Sequence, residues 1–277
     1  MLKNKDLIGN SKEIFRPKKS LGQNFLVDEN IARKIIRYIA PNPNDVILEI
    51  GPGFGVLTKY LVPAAKKVIA VEIDRNLTQH LKKRFEQEKN FKLIQGDFLE
   101  IEIADFYDAR AKLRVLGNIP YHITSTVIFK IFDMREFIFD MILMIQREVA
   151  QRIVASPGSK EYGILSVFSQ LYSEPRILFH VSKNVFIPKP EVDSSLVQWD
   201  FSKRLEVDVN NMDILQEVVH GVFQQRRKML RKSLKNIPGI SVNINHLNFD
   251  LEKRPEDLSS REFVELSNLL YQEMSSQ

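Results

Sequence analysis

The sequence predicts an α/β protein, with a doubly wound, mostly parallel sheet followed by a small all-helical domain. Three observations carry that prediction. Short apolar runs alternate with helical patterns from about residue 30 to residue 145. The first of those runs ends in glycines, Gly51-Pro52-Gly53-Phe54-Gly55, and beyond about Lys203 only helical spacing remains. Strand and helix alternating at this rate imply right-handed crossovers and a parallel sheet.

Taken in order, Ile31, Ile35, Ile36 and Ile39 recur at helical spacing, and the pattern stops at Pro41-Asn42-Pro43-Asn44. Val46–Ile50 is a short apolar run and reads as a buried parallel strand. A helix follows over Val56–Leu61, a strand over Val68–Ile73 and a polar helix over 75–88. Phe91–Gln95 and Leu113–Leu116 are further strands, Thr124–Phe132 a helix and Phe137–Ile145 a long strand. Gly163–Tyr172 reads as helix. Arg176–Val181 and Ser195–Trp199 are strands joined by a Pro-rich loop without a full crossover, which suggests an antiparallel edge. Helices over 212–223, 224–235 and 260–272 close the chain. Ser259 or Ser260 caps the last of them, with Glu262 nearby. The expected domains are 1–204 and a small helical domain, 205–277.

Composition narrows the function. A chain of 277 residues that is 44% hydrophobic and 27% charged can bury a real core and is not disordered. The absence of cysteine excludes a disulfide scaffold, a thiol nucleophile, zinc-thiolate sites and iron–sulfur clusters. No apolar run approaches the roughly 20 residues that span a bilayer, and Met1–Asp6 has no signal-like core. The expectation is a cytoplasmic protein with no membrane partner. The net charge of +5 is unevenly spread. Residues 1–20 carry +4 and residues 220–235 carry +6, so the rest of the chain carries −5. Two basic segments on an acidic body suit a polyanion, although short basic runs are also ordinary solvated helix faces.

The carboxyl ends of the expected strands hold the chemistry. Glycines at a strand-to-helix turn let a backbone approach a ligand, though a tight turn alone would also explain Gly51 to Gly55. Their G-x-G-x-G spacing departs from the dinucleotide fingerprint, which disfavours a dehydrogenase. Glu72 stands 21 residues after Gly51, inside an apolar run, where an acid can accept from both hydroxyls of a ribose. Asp97 could bond an adenine amine, with Phe98 beside the ring; alone it reads as a helix N-cap. Gly117-Asn118-Ile119-Pro120-Tyr121 completes the series. The exocyclic amine of a base is a poor nucleophile, because its lone pair is delocalised into the ring. It needs acceptors that hold its N–H groups and favour pyramidal nitrogen. The Asn118 side-chain oxygen and a carbonyl before Pro120 supply two, and Tyr121 offers a ring for stacking.

With these motifs the sequence resembles the S-adenosylmethionine-dependent ribosomal RNA adenine N6-dimethyltransferases over about residues 16–272. The resemblance also rests on Lys18-Lys19-Ser20-Leu21-Gly22-Gln23-Asn24-Phe25-Leu26, on Phe186-Ile187-Pro188-Lys189-Pro190-Glu191-Val192-Asp193-Ser194, and on Phe223 with Arg226-Arg227-Lys228. It implies a Rossmann-like class I methyltransferase sheet and S-adenosyl-L-methionine as cofactor. Asn24, Leu26, Gly51, Glu72, Asp97 and Asn118 would bind that cofactor. Tyr121 and Phe186 would sandwich a flipped adenine beside Asn118. From the residues alone Phe186 reads as a core anchor. Transfer would be direct and in line, without metal, with positioning carrying most of the rate. Arg226, Arg227, Lys228 and Arg231 would bind RNA from one helix. The implied partner is 16S rRNA within the immature small ribosomal subunit, met by a monomer, with two adjacent adenines of the 3′-terminal hairpin loop dimethylated. His122 stands where many relatives carry Asn, and packing is its expected role. Residues Gly117–Thr124 also resemble the 23S rRNA adenine methyltransferases of macrolide resistance. A non-catalytic assembly factor on the same fold is the rival of another class.

Overall fold

Apolar continuity marks the strands that the sheet buries on both faces. A computed structural model describes residues 16–102, 112–240 and 244–276. The basic positions before residue 16 lie outside those residues. Strand β1 is Phe25–Leu26, β2 Val46–Ile50, β3 Lys67–Glu72, β4 Phe91–Gln95 and β5 Leu113–Asn118. Strand β6 is Ile138–Gln146, β7 Glu174–Val181, β8 Phe186–Ile187 and β9 Ser194–Asp200. Seven of them form one sheet in the order β4-β3-β2-β5-β6-β9-β7. Residues 140–145 of β6 are all buried, and each buried Ile, Leu or Met side chain there contributes about 1.5–3 kcal/mol. Strand β6 pairs parallel with β5 and antiparallel with β9, so the antiparallel edge is present.

The strand order reverses at β2, which has β3 on one side and β5 on the other. Ligands of open α/β sheets bind outside the carboxyl ends of the strands at such a reversal. The opposite ends of these strands are pinned by charge. Arg114 donates Nε and Nη2 to both carboxylate oxygens of Asp140 at 2.8 Å, and Nη1 to Asp45 at 2.9 Å.

Helix α1, Glu29–Ile39, is capped by Asp28, which accepts from the amides of Asn30 and Ile31. It buries Ala32, Ile35 and Ile39 against the core. The helix expected over 56–61 shortens to α2, Thr58–Leu61, and the one over 75–88 to α3, Arg75–Arg84, with Phe85 buried just beyond. Helix α4 is Thr124–Asp133. Helix α5, Arg147–Ile153, had no apolar period to announce it.

The chain divides into two units. The first runs up to Ala150 and adds Arg176–Ser202; the second joins Gln151–Pro175 to Lys203–Gln277. The second unit is therefore not one continuous C-terminal segment, as the 204/205 division expected. It recruits α6, Ile164–Tyr172, whose apolar face packs on α7, Met212–Phe223, and α9, Ser260–Ser275. Ser259 caps α9 in a reciprocal capping box with Glu262. The helix expected over 224–235 is corrected: residues 224–228 are turn and bend, and only α8, Leu230–Ser233, is α-helical. Among the described residues no helix is long and apolar enough to cross a membrane.

Candidate active site

Loop chemistry at the carboxyl ends of β2, β3, β4 and β5 opens a cavity of about 200 Å³. Gly51, Glu72, Asp97, Asn118 and Tyr121 all line it, together with Asn24 from the N-terminal segment. Five separate sequence signals thus converge on one space.

The glycine turn is shaped by backbone conformation. Gly51 and Gly53 have φ of +64° and +59°, which L side chains rarely adopt. A Cβ at Gly53 would also lie 3.1 Å from the Phe25 ring. The Gly53 amide donates to Glu72 Oε2 at 3.1 Å, and the Asp74 amide to Oε1 at 2.9 Å. Glu72 is 4% exposed, and desolvation pushes its pKa up to about 7 against those two bonds. A buried carboxylate at a cavity wall, with lone pairs remaining on each oxygen, is a ready acceptor for a vicinal diol. Asp97 lines the cavity and accepts from the Leu99 amide at 2.9 Å; the residues after it are turn, so its side chain closes a turn and does not cap a helix.

Asn118 ends β5 and donates Nδ2 to the Asn24 carbonyl at 2.8 Å. Its Oδ1 is thereby left as the acceptor that an amine needs. Tyr121 is half-buried, and its hydroxyl shares a 2.8 Å bond with Ser194 Oγ on β9. Burial raises the pKa of the phenol, which stays neutral and holds its ring in place.

Two expected positions differ. Phe186 is 2% exposed and packs in the core with Leu26, Met144 and Leu196. It does not line the cavity, because β8 pairs antiparallel with β1 and sets Leu26 opposite Phe186. The core-anchor reading describes the ring's position; of the two rings, only Tyr121 lines the cavity. Leu26 lines a smaller, adjoining cavity of about 40 Å³ shared with Gly51 and Asn118. The buried carboxyl of Glu49 lines it too. Thr58 Oγ1 donates to that carboxyl at 2.7 Å, and desolvation raises its pKa to about 7. Glu49 carried no signal of its own in an apolar strand. His122 is exposed at the main cavity and lies over Gly22, where a Cβ would meet its Nδ1 at 2.9 Å.

The basic segment of the second unit is also rearranged. Arg226 is committed: Nε and Nη2 grip Glu256 at 2.9 and 2.8 Å, and Nη1 donates to the Lys160 carbonyl at 2.9 Å. Arg231 pairs with Glu252 at the surface. Arg227 and Lys228 are exposed.

The sheet order, the glycine turn, the buried Glu72 and the Asn118–Tyr121 turn define a Rossmann-like, S-adenosylmethionine-dependent methyltransferase. The model of the ribosomal RNA adenine dimethylase family matches residues 14–272. A ribosomal RNA small subunit methyltransferase A of Chlorobium phaeobacteroides (strain BS1) is 42% identical over 249 residues, 90% of this chain and 92% of that protein. A crystal structure of a dimethyladenosine transferase from Plasmodium falciparum is similar with a TM-score of 0.75 at 28% identity, covering 91% of this chain and 98% of that one. A 23S rRNA methyltransferase, ErmE, shares the fold with a TM-score of 0.67 at 23% identity, covering 89% and 99%. The chain belongs to the ribosomal RNA adenine dimethylase family.

Proposed function

We propose that this protein dimethylates N6 of two adjacent adenines in the 3′-terminal hairpin loop of 16S rRNA, as a cytoplasmic monomer acting on the immature small subunit. The observation that carries the reading is the Asn118–Asn24 bond beside the Glu72 and Asp97 walls. That bond supports the reading because it leaves the Asn118 amide oxygen as an acceptor in the cavity that Glu72 and Asp97 also line. When bound, S-adenosyl-L-methionine supplies an electrophilic methyl on a sulfonium. Glu72 accepts from the ribose hydroxyls and Asp97 from the adenine amine, while Gly51 gives room for the methionine end. Asn118 Oδ1 and the backbone before Pro120 hold the N–H groups of the target base, and Tyr121 stacks on its face. Positioning, not a strong base, carries the step.

The relative at 42% identity, named for the small subunit, favours 16S over 23S rRNA. Methyl incorporation from labelled cofactor, mapped to nucleotides, is expected in unmethylated small subunits. Incorporation into protein-free 23S RNA alone would overturn the substrate. No incorporation anywhere, with RNA still bound, would favour the assembly factor.

For RNA contact we propose Arg227 and Lys228, with Arg231 weakened by its Glu252 pair and Arg226 acting as a structural clamp. Arg226→Ala is expected to lower stability by about 1 kcal/mol, since Nε and Nη2 share one oxygen of Glu256 in a partly screened pair, and to leave RNA affinity nearly unchanged. The Arg227→Ala/Lys228→Ala double variant is expected to keep the thermal midpoint and reduce the salt slope of RNA binding by about 1.5. Filter binding across a salt series, with thermal melts of both variants, checks the division.

A further inference from the structure

We propose that Asp74 is a positioning residue that latches the Lys18–Gln23 segment over the cofactor cavity, so that cofactor exchange requires this latch to open. The inference rests on the cofactor site as read above. The segment from Lys18 to Val27 crosses the cavity, and Leu21 to Phe25 form part of its wall. Its two halves are held differently. The downstream half is fixed by several bonds. The Asn24 carbonyl accepts from Asn118, Phe25 and Leu26 pair with β8, and the Val27 amide donates to the Val185 carbonyl at 2.9 Å. Among the described residues, the upstream half is bonded to the rest of the unit only through Asp74. Gln23 Nε2 donates to Asp74 Oδ2 at 2.9 Å, and Lys18 Nζ to Oδ1 at 3.0 Å. Gln23 also closes the segment on itself, its Oε1 accepting from the Lys18 amide at 2.8 Å.

Asp74 is built for this task. Its side chain is fully buried, while that of Lys18 is 44% exposed. Burial, the largest influence, would raise its pKa, but the bonds from Gln23, Lys18 and the Asn76 amide together with the Lys18 charge outweigh it and hold the carboxyl below the ordinary value. The same residue caps α3, Oδ1 accepting from the Asn76 amide at 2.9 Å, and its own amide donates to Glu72 Oε1. One residue therefore touches both the ribose-accepting carboxylate and the upstream half of the cover. Placing two methyl groups on a base requires two cofactor molecules, and the first product must leave before the second arrives. Opening the upstream half is the small motion that permits this, because the downstream half also positions Asn118. Lid steps of this kind often limit turnover.

The test is the dissociation rate of S-adenosylhomocysteine from the full-length protein, followed by chase with excess unlabelled ligand. Gln23→Glu is isosteric and sets a carboxylate against a carboxylate. Asp74→Asn keeps a competent cap for α3 but removes the charge that holds Lys18. Each is expected to speed release about tenfold, the scale of one hydrogen bond to a charged group. The combination of both substitutions recreates an amide–carboxylate pair with roles exchanged, and it is expected to slow release again towards the unsubstituted rate. A merely structural Asp74 gives no such rescue. Unsubstituted release rates in both single variants would overturn the latch, as would a double variant that releases no more slowly than either. Failure of the unsubstituted protein to bind S-adenosylhomocysteine would instead overturn the reading of the cavity itself.

Discussion

Asn118→Ala is expected to reduce methyl transfer by at least 10²–10³-fold, the scale of removing one preorganised hydrogen-bonding group from a reacting centre, while RNA affinity stays nearly unchanged. The reason lies in how the two ends of the amide are used. Nδ2 is donated to the Asn24 carbonyl, which fixes the orientation of the group and leaves Oδ1 as an acceptor. A base amine conjugated with its ring gains nucleophilicity only when its N–H groups are held in a pyramidal geometry. Alanine removes that acceptor and also frees Asn24, so a modest loss of cofactor affinity should accompany the loss of rate. Asn118→Asp separates the two effects. It retains an acceptor for the amine but sets a carboxylate against the Asn24 carbonyl, so the cover should loosen and cofactor affinity should fall further than in the alanine variant. Methyl incorporation at saturating RNA, beside equilibrium binding of RNA and S-adenosylhomocysteine, gives the three readouts. Normal transfer by Asn118→Ala would remove the residue from the mechanism.

The central sheet was legible because burial writes continuous apolar runs. Val46–Ile50 and the run ending at Ile145 need no partner to be recognised as buried strands. Much of the cavity wall was legible because Glu72, Asp97 and Asn118 stand at or just past the ends of such runs. What escaped was long-range. Pairing of Phe25–Leu26 with Phe186–Ile187 joins segments about 160 residues apart, and no local pattern encodes it. It seats Phe186 in the core, where its residue-level reading put it, and away from the cavity where the resemblance implied it. Charge was equally ambiguous. Arg226, Arg227 and Lys228 are adjacent and alike in sequence, yet only Arg226 meets Glu256, from a turn thirty residues away. The contiguous basic helix failed for a related reason. Leu230 and Leu234 are fully buried, but the chain reaches them through the turn and bend that Arg226 anchors. Asp74 belongs to the same class: its neighbour Glu72 was visible from strand position, whereas its bonds to Lys18 and Gln23 exist only in the folded chain.

Glu72→Ala is expected to lower affinity for S-adenosylhomocysteine by at least about 100-fold, since two hydrogen bonds to a charged group are each worth about 1.5–3 kcal/mol. The pH dependence of the unsubstituted protein should show the same carboxylate. In the ligand-free protein desolvation raises Glu72 to about 7. Below that pH the group is protonated and can no longer accept fully from both ribose hydroxyls, so affinity should be about tenfold weaker at pH 6 than at pH 8. The sign for stability is opposite. An acid whose folded pKa lies above its unfolded value holds a proton that the unfolded chain has released, so its contribution declines as pH rises from about 4.5 to about 7 and then levels. Glu49, buried and raised to about 7 by the same cause, adds a parallel decline. Ligand binding reverses the part that belongs to Glu72, because the ribose hydroxyls favour the ionised form. Thermal stabilisation by S-adenosylhomocysteine should therefore grow between pH 6 and pH 8. In Glu72→Gln that growth should vanish while the decline due to Glu49 persists. Calorimetric titration and melting curves across this range distinguish the two carboxylates. A Gln variant that still gains ligand stabilisation with rising pH would move the diol acceptor away from Glu72.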